Sequence, residues 1–266
     1  MNPLLAAAAA LLVYVHLVFA VALMRRDNGL ADVAWGGGFV VIALAVGTAT
    51  GWHSPRVVLL AGLFTAWGLR LALHIHARNR GRAGEDFRYR QWRESWGRWF
   101  LVRSYLQVFL LQGVLMLVVG APIVVVALRP GGPLGVLDLA GAGIWLLGLL
   151  CEAVADRQLL RFKRDPANRG AILTFGLWRY SRHPNYFGEA LLWWGPFVVA
   201  LATPCGLWAA ISPLTVGFLL LCVSGIPMLE KKYEGRADFE RYKAATSAFV
   251  PWPPKRPQPG EGNETP

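Results

Sequence analysis

The chain has 266 residues, of which 55% are apolar and only 16% charged, with 12 Trp. Soluble globular domains carry about 25% charged residues, so this composition excludes an ordinary soluble fold. The net charge of +11 would suit a nucleic-acid binder, but the cations lie in short segments between apolar runs, where the charge bias of membrane-protein loops accounts for them.

About 20 consecutive apolar residues cross a bilayer. Runs of this kind recur at 3–24, 33–50, 57–75, 105–128, 136–155, 186–204 and 206–228. The first is longer than the apolar core of a signal peptide, has no basic segment before it, and is followed by Arg25 and Arg26, which suits a retained helix. Segment 76–104 mixes eight Arg with Trp and Tyr, the composition of a helix or loop at the headgroup level. Segment 156–185 holds seven Lys or Arg, and the chain from 229 onward holds seven more. The intervening connections carry only Arg56 and Arg129, and Arg70 falls inside the third span. Basic-rich and basic-poor connections thus alternate. Lys and Arg concentrate in cytoplasmic loops. The expectation is an all-α, polytopic membrane protein of seven transmembrane helices, with its N-terminus outside and its C-terminus cytoplasmic. Residues 1–250 would form one domain, and the Pro-rich polar stretch 251–266 a disordered tail.

Several motifs bear on chemistry. Gly36, Gly37 and Gly38 lack the G-x-G-x-x-G spacing of a dinucleotide loop and fit close helix packing better. The five histidines do not cluster, so no metal site is expected. The three cysteines are far apart and in or beside apolar runs, which suits packing rather than disulfides. Asp32, in Asp32-Val-Ala-Trp35, stands where the second span enters hydrocarbon. Two roles are open to it: an interfacial helix cap, or a carboxyl group whose desolvation favours the neutral, hydrogen-bond-donating form.

Four constellations lie on the predicted cytoplasmic side. The first is Asn79-Arg-Gly-Arg82 followed by Glu85-Asp86-Phe-Arg88-Tyr89. In the second, Glu152 and Asp156 are four residues apart at the end of the fifth span, with Arg157, Arg161, Lys163 and Arg164 behind them. That pattern is either a solvated helix end or a site where carboxylates take ribose hydroxyls and cations take phosphate. The third is Gly176-Leu-Trp-Arg-Tyr-Ser-Arg-His-Pro-Asn-Tyr-Phe-Gly-Glu189. Pro184 suits the first turn of a helix, which would put free backbone donors beside Arg179, Arg182 and His183 as an anion site. Asn185 and Glu189 share a face of that helix. The fourth is Glu230-Lys-Lys-Tyr233, then Phe239-Glu-Arg-Tyr242 and Phe249-Val-Pro251.

Together, Arg179 to Glu189, Tyr233, Tyr242, Pro251, Asp32-x-x-Trp35, Arg70 and the Asn79–Tyr89 motif resemble the steroid 5α-reductase family, and most closely its bacterial branch. The resemblance implies seven transmembrane helices in a bacterial inner membrane and NADPH as cofactor. It also implies reduction of a C=C bond conjugated to a carbonyl, in a lipid that enters from the bilayer. It places Asn185, Glu189, Asp156, Arg82 and Lys163 at cofactor-binding positions, joined by Arg70, Asn79, Asp86, Arg88, Tyr89, Glu152, Tyr180, Arg182, His183 and Tyr233. Asp32, with Trp35 beside it, would lie near the family's carbonyl-binding acid, which is Glu there. The Arg-His-Pro run also occurs in isoprenylcysteine carboxyl methyltransferases, so a methyltransferase using S-adenosylmethionine is the alternative, and a transporter or scaffold the second. Membrane lipids are the expected surroundings, no nucleic acid is expected, and the chain is expected to act as a monomer.

Overall fold

The computed structural model describes residues 1–79 and 87–255. Every regular element among them is helical. Three long helices open the chain: α1 (Pro3–Arg25), α2 (Leu30–Ala49) and α3 (Pro55–Asn79). The α1 N-terminus follows from its sequence. Asn2 accepts hydrogen bonds from the Leu4 and Leu5 amides, and Pro3 occupies the first turn, where its missing N–H costs nothing. Arg26 ends the helix in the left-handed conformation at φ 52°.

Next come α4 (Phe87–Trp96) and α5 (Phe100–Arg103), a π-helical segment at Ser104–Leu110, α6 (Leu111–Val119) and α7 (Ala121–Leu128). The sequence predicts a single span at 105–128. The observed apolar helical path instead runs Tyr89–Val119. Gly120 interrupts it, and Pro122 starts α7 afresh. The chain continues through α8 (Val136–Arg164), α9 (Pro184–Ala200), α10 (Ile211–Phe218), a second π segment at Leu219–Val223, α11 (Ile226–Lys231) and α12 (Ala237–Ala245).

Among the described residues, six helical stretches are long and apolar enough to cross a membrane. Their flanks leave Leu5, Leu12, Val13, Leu17, Leu69, Leu73, Leu147 and Leu214 exposed. Contiguous exposed apolar surface on this scale marks contact with lipid, so this is a multi-pass helical membrane protein. The expected span at 186–204 corresponds to α9, whose 17 residues give about 26 Å of helix against roughly 30 Å of hydrocarbon.

The chain divides into two compact units. One comprises Met1–Gly143 and Trp194–Thr215, the other Ile144–Trp193 and the described residues from Val216 onward. In the first unit, α2 and α3 cross at Gly36 and Gly68. A Cβ at Gly36 would stand 2.2 Å from the Gly68 carbonyl oxygen, and one at Gly68 would stand 2.3 Å from that of Gly36. The glycine run is therefore a packing device, as its sequence suggests. The first unit also buries Arg56, whose guanidinium forks onto Asp138 at 2.6 and 2.8 Å and donates to the Pro130, Gly132 and Pro133 carbonyls. In the second unit, α8 and α9 cross at Gly148 and Gly188, where a Cβ on either glycine would stand 2.7 Å from the other's carbonyl oxygen. That crossing brings the last turns of α8 against the start of α9, where the motif residues lie.

Candidate functional site

In the second unit, the loop from Asp165 to His183 folds back over the end of α8. Asp165 caps the Ala167 amide, Asn168 donates to the Phe162 carbonyl, and the Gln158 side chain accepts from the Leu177 amide. The Trp178 indole donates to the Ala155 carbonyl at 3.2 Å, while its own carbonyl accepts from the Tyr242 hydroxyl. Burial pushes the Tyr242 phenol well above its ordinary value, so it stays a neutral donor. These bonds shape a cleft of about 490 Å³ between α8, the loop, α11 and α12, within the size range of small-molecule and cofactor sites.

The cleft wall has three chemical zones. Phe162, Trp178, Tyr233 and Phe239 form the aromatic part, with Tyr233 and Phe239 rings 5.4 Å apart. Lys163, Arg169, Arg182 and Arg236 form the charged part, with His183 and the Glu230 carboxylate beside them. Arg236 lies 5.4 Å from the Tyr233 ring and donates to Asp238 at 2.6 Å and to the Gly170 carbonyl at 2.7 Å. Asn185 lies at the start of α9 and donates its side-chain amide to Asp156 at 3.2 Å. A carboxylate oxygen there accepts only, which fixes the orientation of the amide. Its other atom, Oδ1, is buried and has no hydrogen-bond partner.

The sequence predicts an anion site where α9 begins, with Arg182 and His183 holding a ligand. Both residues line the cleft, and the geometry gives Arg182 partners within the protein. Its Nε and Nη2 donate to the two Glu230 oxygens at 2.8 and 3.2 Å, and Nη1 donates to the Lys243 and Thr246 carbonyls. His183 adds a bond from Nε2 to Glu230 at 3.0 Å and stacks on Tyr186. Burial pushes the His183 imidazole below its ordinary value, outweighing the opposing pull of Glu230. The anion beside this helix start is thus the protein's own carboxylate. The cluster also fastens the chain end: the Arg182 amide donates to the Ser247 carbonyl, the Ser181 hydroxyl to that of Phe249, and the Trp252 amide to that of Tyr180. Residues 251–255, assigned by composition to a disordered tail, are held here by that bond and by Lys255, whose amide donates to Ala245.

The remaining candidates of this unit are near but distinct. Glu152 and Asp156 are buried at the end of α8, so the solvated-helix-end role does not apply to them. Glu189 follows Asn185 one turn on, half-buried, and Tyr180 is exposed; neither lines the cleft.

In the first unit, Tyr89 is buried and its hydroxyl donates to Asp32 at 2.7 Å. Asp32 is not the helix cap. Gly29 holds that position, its amide bonded to Asp27, and Asp32 lies within the first turn of α2. Trp35 packs edge-on against Phe39. Arg70 is half-buried on α3, and Asn79 closes that helix with a buried, unpartnered Oδ1. Arg82, Asp86 and the Arg88 side chain lie outside the described residues.

Sequence reasoning missed Arg169, Trp178 and Arg236 as cleft residues. Trp178 was within reach, lying inside the Gly176–Glu189 motif, whereas Arg169 and Arg236 look like ordinary loop charges. It also missed the Arg56–Asp138 pair. The signal there was an Arg isolated in a basic-poor connection and an acid at the start of a span.

Fold and cleft define a multi-pass helical membrane protein with an aromatic-lined, largely apolar cleft bearing several charged groups, built from residues 159–242. The chain belongs to DUF1295, a family described as proteins of unknown function, which matches residues 18–246. An uncharacterized protein of Schizosaccharomyces pombe is 26% identical over 164 residues, covering 53% of this chain and 47% of that protein. The chain thus aligns with about half the length of this curated relative. No solved structure matches the chain.

Proposed function

We propose that this protein is an NADPH-dependent membrane reductase acting on the C=C bond of an α,β-unsaturated carbonyl lipid. In this proposal α9 serves as a seventh transmembrane helix, the cleft faces the cytoplasm of a bacterial cell, and the lipid enters from the bilayer. The observation that carries the proposal is the donor set of the cleft. An NADP-type dinucleotide offers phosphates, flat rings and amide N–H donors. Lys163, Arg169 and Arg236 suit the phosphates, Trp178, Tyr233 and Phe239 suit the rings, and the buried Asn185 oxygen lacks the N–H donor that such a ligand has.

When bound, NADPH supplies a hydride. Asn185, held by Asp156, orients the ligand, and the cations of the cleft hold its charge. The Asp32–Tyr89 pair is the proposed acid. The Tyr89 hydroxyl holds Asp32 in place at 2.7 Å, and a protonated Asp32 would donate to the substrate's carbonyl oxygen as that atom gains charge.

The cofactor assignment is tested on the detergent-solubilised protein by thermal shift. NADPH should raise the melting temperature, since it binds the folded state, and added salt should weaken the effect by screening the phosphate contacts. A response to S-adenosylmethionine with none to NADPH would overturn the reductase in favour of the methyltransferase.

A further inference from the structure

In the first unit, one polar pair stands on a face that meets lipid. His16 lies on α1 and is exposed, and Tyr105 lies in the first turn of the π-helical segment Ser104–Leu110. The Tyr105 hydroxyl and His16 Nε2 are 2.9 Å apart, and His16 Nδ1 is 2.7 Å from the Leu12 carbonyl oxygen. The pair falls inside the hydrocarbon edge. Tyr105 is two residues, about 3 Å of helix, beyond Arg103, and His16 is nine residues, about 14 Å, from Arg25. The sequence neighbours Leu12, Val13, Leu17 and Leu106 are all exposed.

These bonds assign the hydrogens. A carbonyl oxygen only accepts, so Nδ1 of the imidazole donates to Leu12. Hydrocarbon disfavours a charged ring, and in a neutral ring the other nitrogen is then an acceptor. The Tyr105 hydroxyl therefore donates to Nε2. Its hydrogen is used, while its oxygen keeps the capacity to accept; among the described residues none donates to it. A hydroxyl that is already donating accepts more strongly. The surroundings hold the phenol in place. The Phe19 ring centre is 5.2 Å from that of Tyr105 and 5.1 Å from that of Phe109. Gly113 lets α6 approach α1 so closely that a Cβ there would stand 3.0 Å from Val15. A π segment within an α-helical run is itself frequent at functional sites.

We propose that this face binds a lipid alcohol, whose hydroxyl donates to the Tyr105 oxygen while its apolar body lies along Leu12, Leu17 and Leu106. Hydrogen-bond complementarity selects this occupant. A hydroxyl group in hydrocarbon is costly without a partner, and the phenol supplies an acceptor. A ketone, ester or ether has no hydrogen to give, so neither a bulk phospholipid ester nor the carbonyl lipid of the proposed reductase suits the site. The reductase activity does not depend on it.

Native mass spectrometry of the full chain in lauryldimethylamine oxide, a detergent without hydroxyl groups, tests this with hexadecanol and hexadecyl methyl ether as probes. The wild type should bind the alcohol about fivefold more tightly than the ether, the worth of one neutral hydrogen bond. Tyr105→Phe keeps the ring and should abolish that preference. His16→Leu releases the Tyr105 hydrogen, so the phenol can donate to the ether oxygen, and the preference should narrow because the ether gains. Equal binding of alcohol and ether by the wild type, a comparison that needs no variant to fold, overturns the proposal. So does an unchanged preference in a Tyr105→Phe protein of wild-type melting temperature. A wild-type dimer in light scattering that Tyr105→Phe separates would assign the face to a second copy of the chain and overturn it as well.

Discussion

Arg182→Met is the substitution most informative about the cleft. The side chain is 8% exposed and its partner Glu230 is 14% exposed. Removal of the guanidinium takes away both bonds to Glu230 and the donors of the Lys243 and Thr246 carbonyls. Each hydrogen bond to a charged group is worth roughly 1.5–3 kcal/mol. Loss of one member of a buried ion pair costs about 3–5 kcal/mol, because the other is left uncompensated. His183 still faces Glu230, which places the expected loss near the lower end, about 3 kcal/mol. Arg182→Lys should recover only part of this, since an ammonium cannot fork onto a carboxylate and reach two carbonyls as well. Adding Glu230→Leu to Arg182→Met should cost less than the two single losses summed, by about 0.5–3 kcal/mol, as expected of groups in contact. Reversible unfolding in detergent gives the stabilities, and limited proteolysis after Thr246 reports release of the chain end. If Arg182→Met behaves as a surface change, within about 0.5 kcal/mol of wild type, with proteolysis unaltered, the cluster does not hold the cleft wall.

The Asp32–Tyr89 pair gives a kinetic prediction. Asp32→Ala should lower turnover of an enone such as progesterone about a hundred- to a thousandfold, Asp32→Asn and Tyr89→Phe should lower it less, and all three should keep their thermal response to NADPH. An Asp32→Ala protein that folds poorly, but whose folded fraction turns over normally, would make the pair purely structural. For topology, reporter fusions after Arg98, Arg169 and Arg241 should report the cytoplasm, and fusions near Ser54, Gly132 and Cys205 the outside. A periplasmic signal at Arg169 would remove the cleft from any cytoplasmic nucleotide.

What the sequence determined by itself is local. Of the seven spans read from apolar runs, six correspond to membrane-length helices among the described residues, because the demand for internal backbone hydrogen bonding in lipid acts along a single segment. Asn2 and Pro3 mark the start of α1, and Pro184 the start of α9, because caps and first turns involve only neighbouring residues. The residue types of the second-unit cleft were also legible, since Lys163, His183, Asn185 and Tyr233 stand in recognisable motifs. Partnerships were not legible. Arg182 and Glu230 are 48 residues apart, Tyr89 and Asp32 57, and Arg56 and Asp138 82. A cation before a helix start looks ready for a ligand until the chain delivers a carboxylate to it, as Glu230 is delivered here. An aspartate near a helix start looks like a cap until Gly29 is seen to take that position and a distant tyrosine to donate to the acid. Tertiary structure decided these roles because a buried charge is governed by the groups that surround it in space, and crossings such as Gly36 on Gly68 and Gly148 on Gly188 set which groups those are.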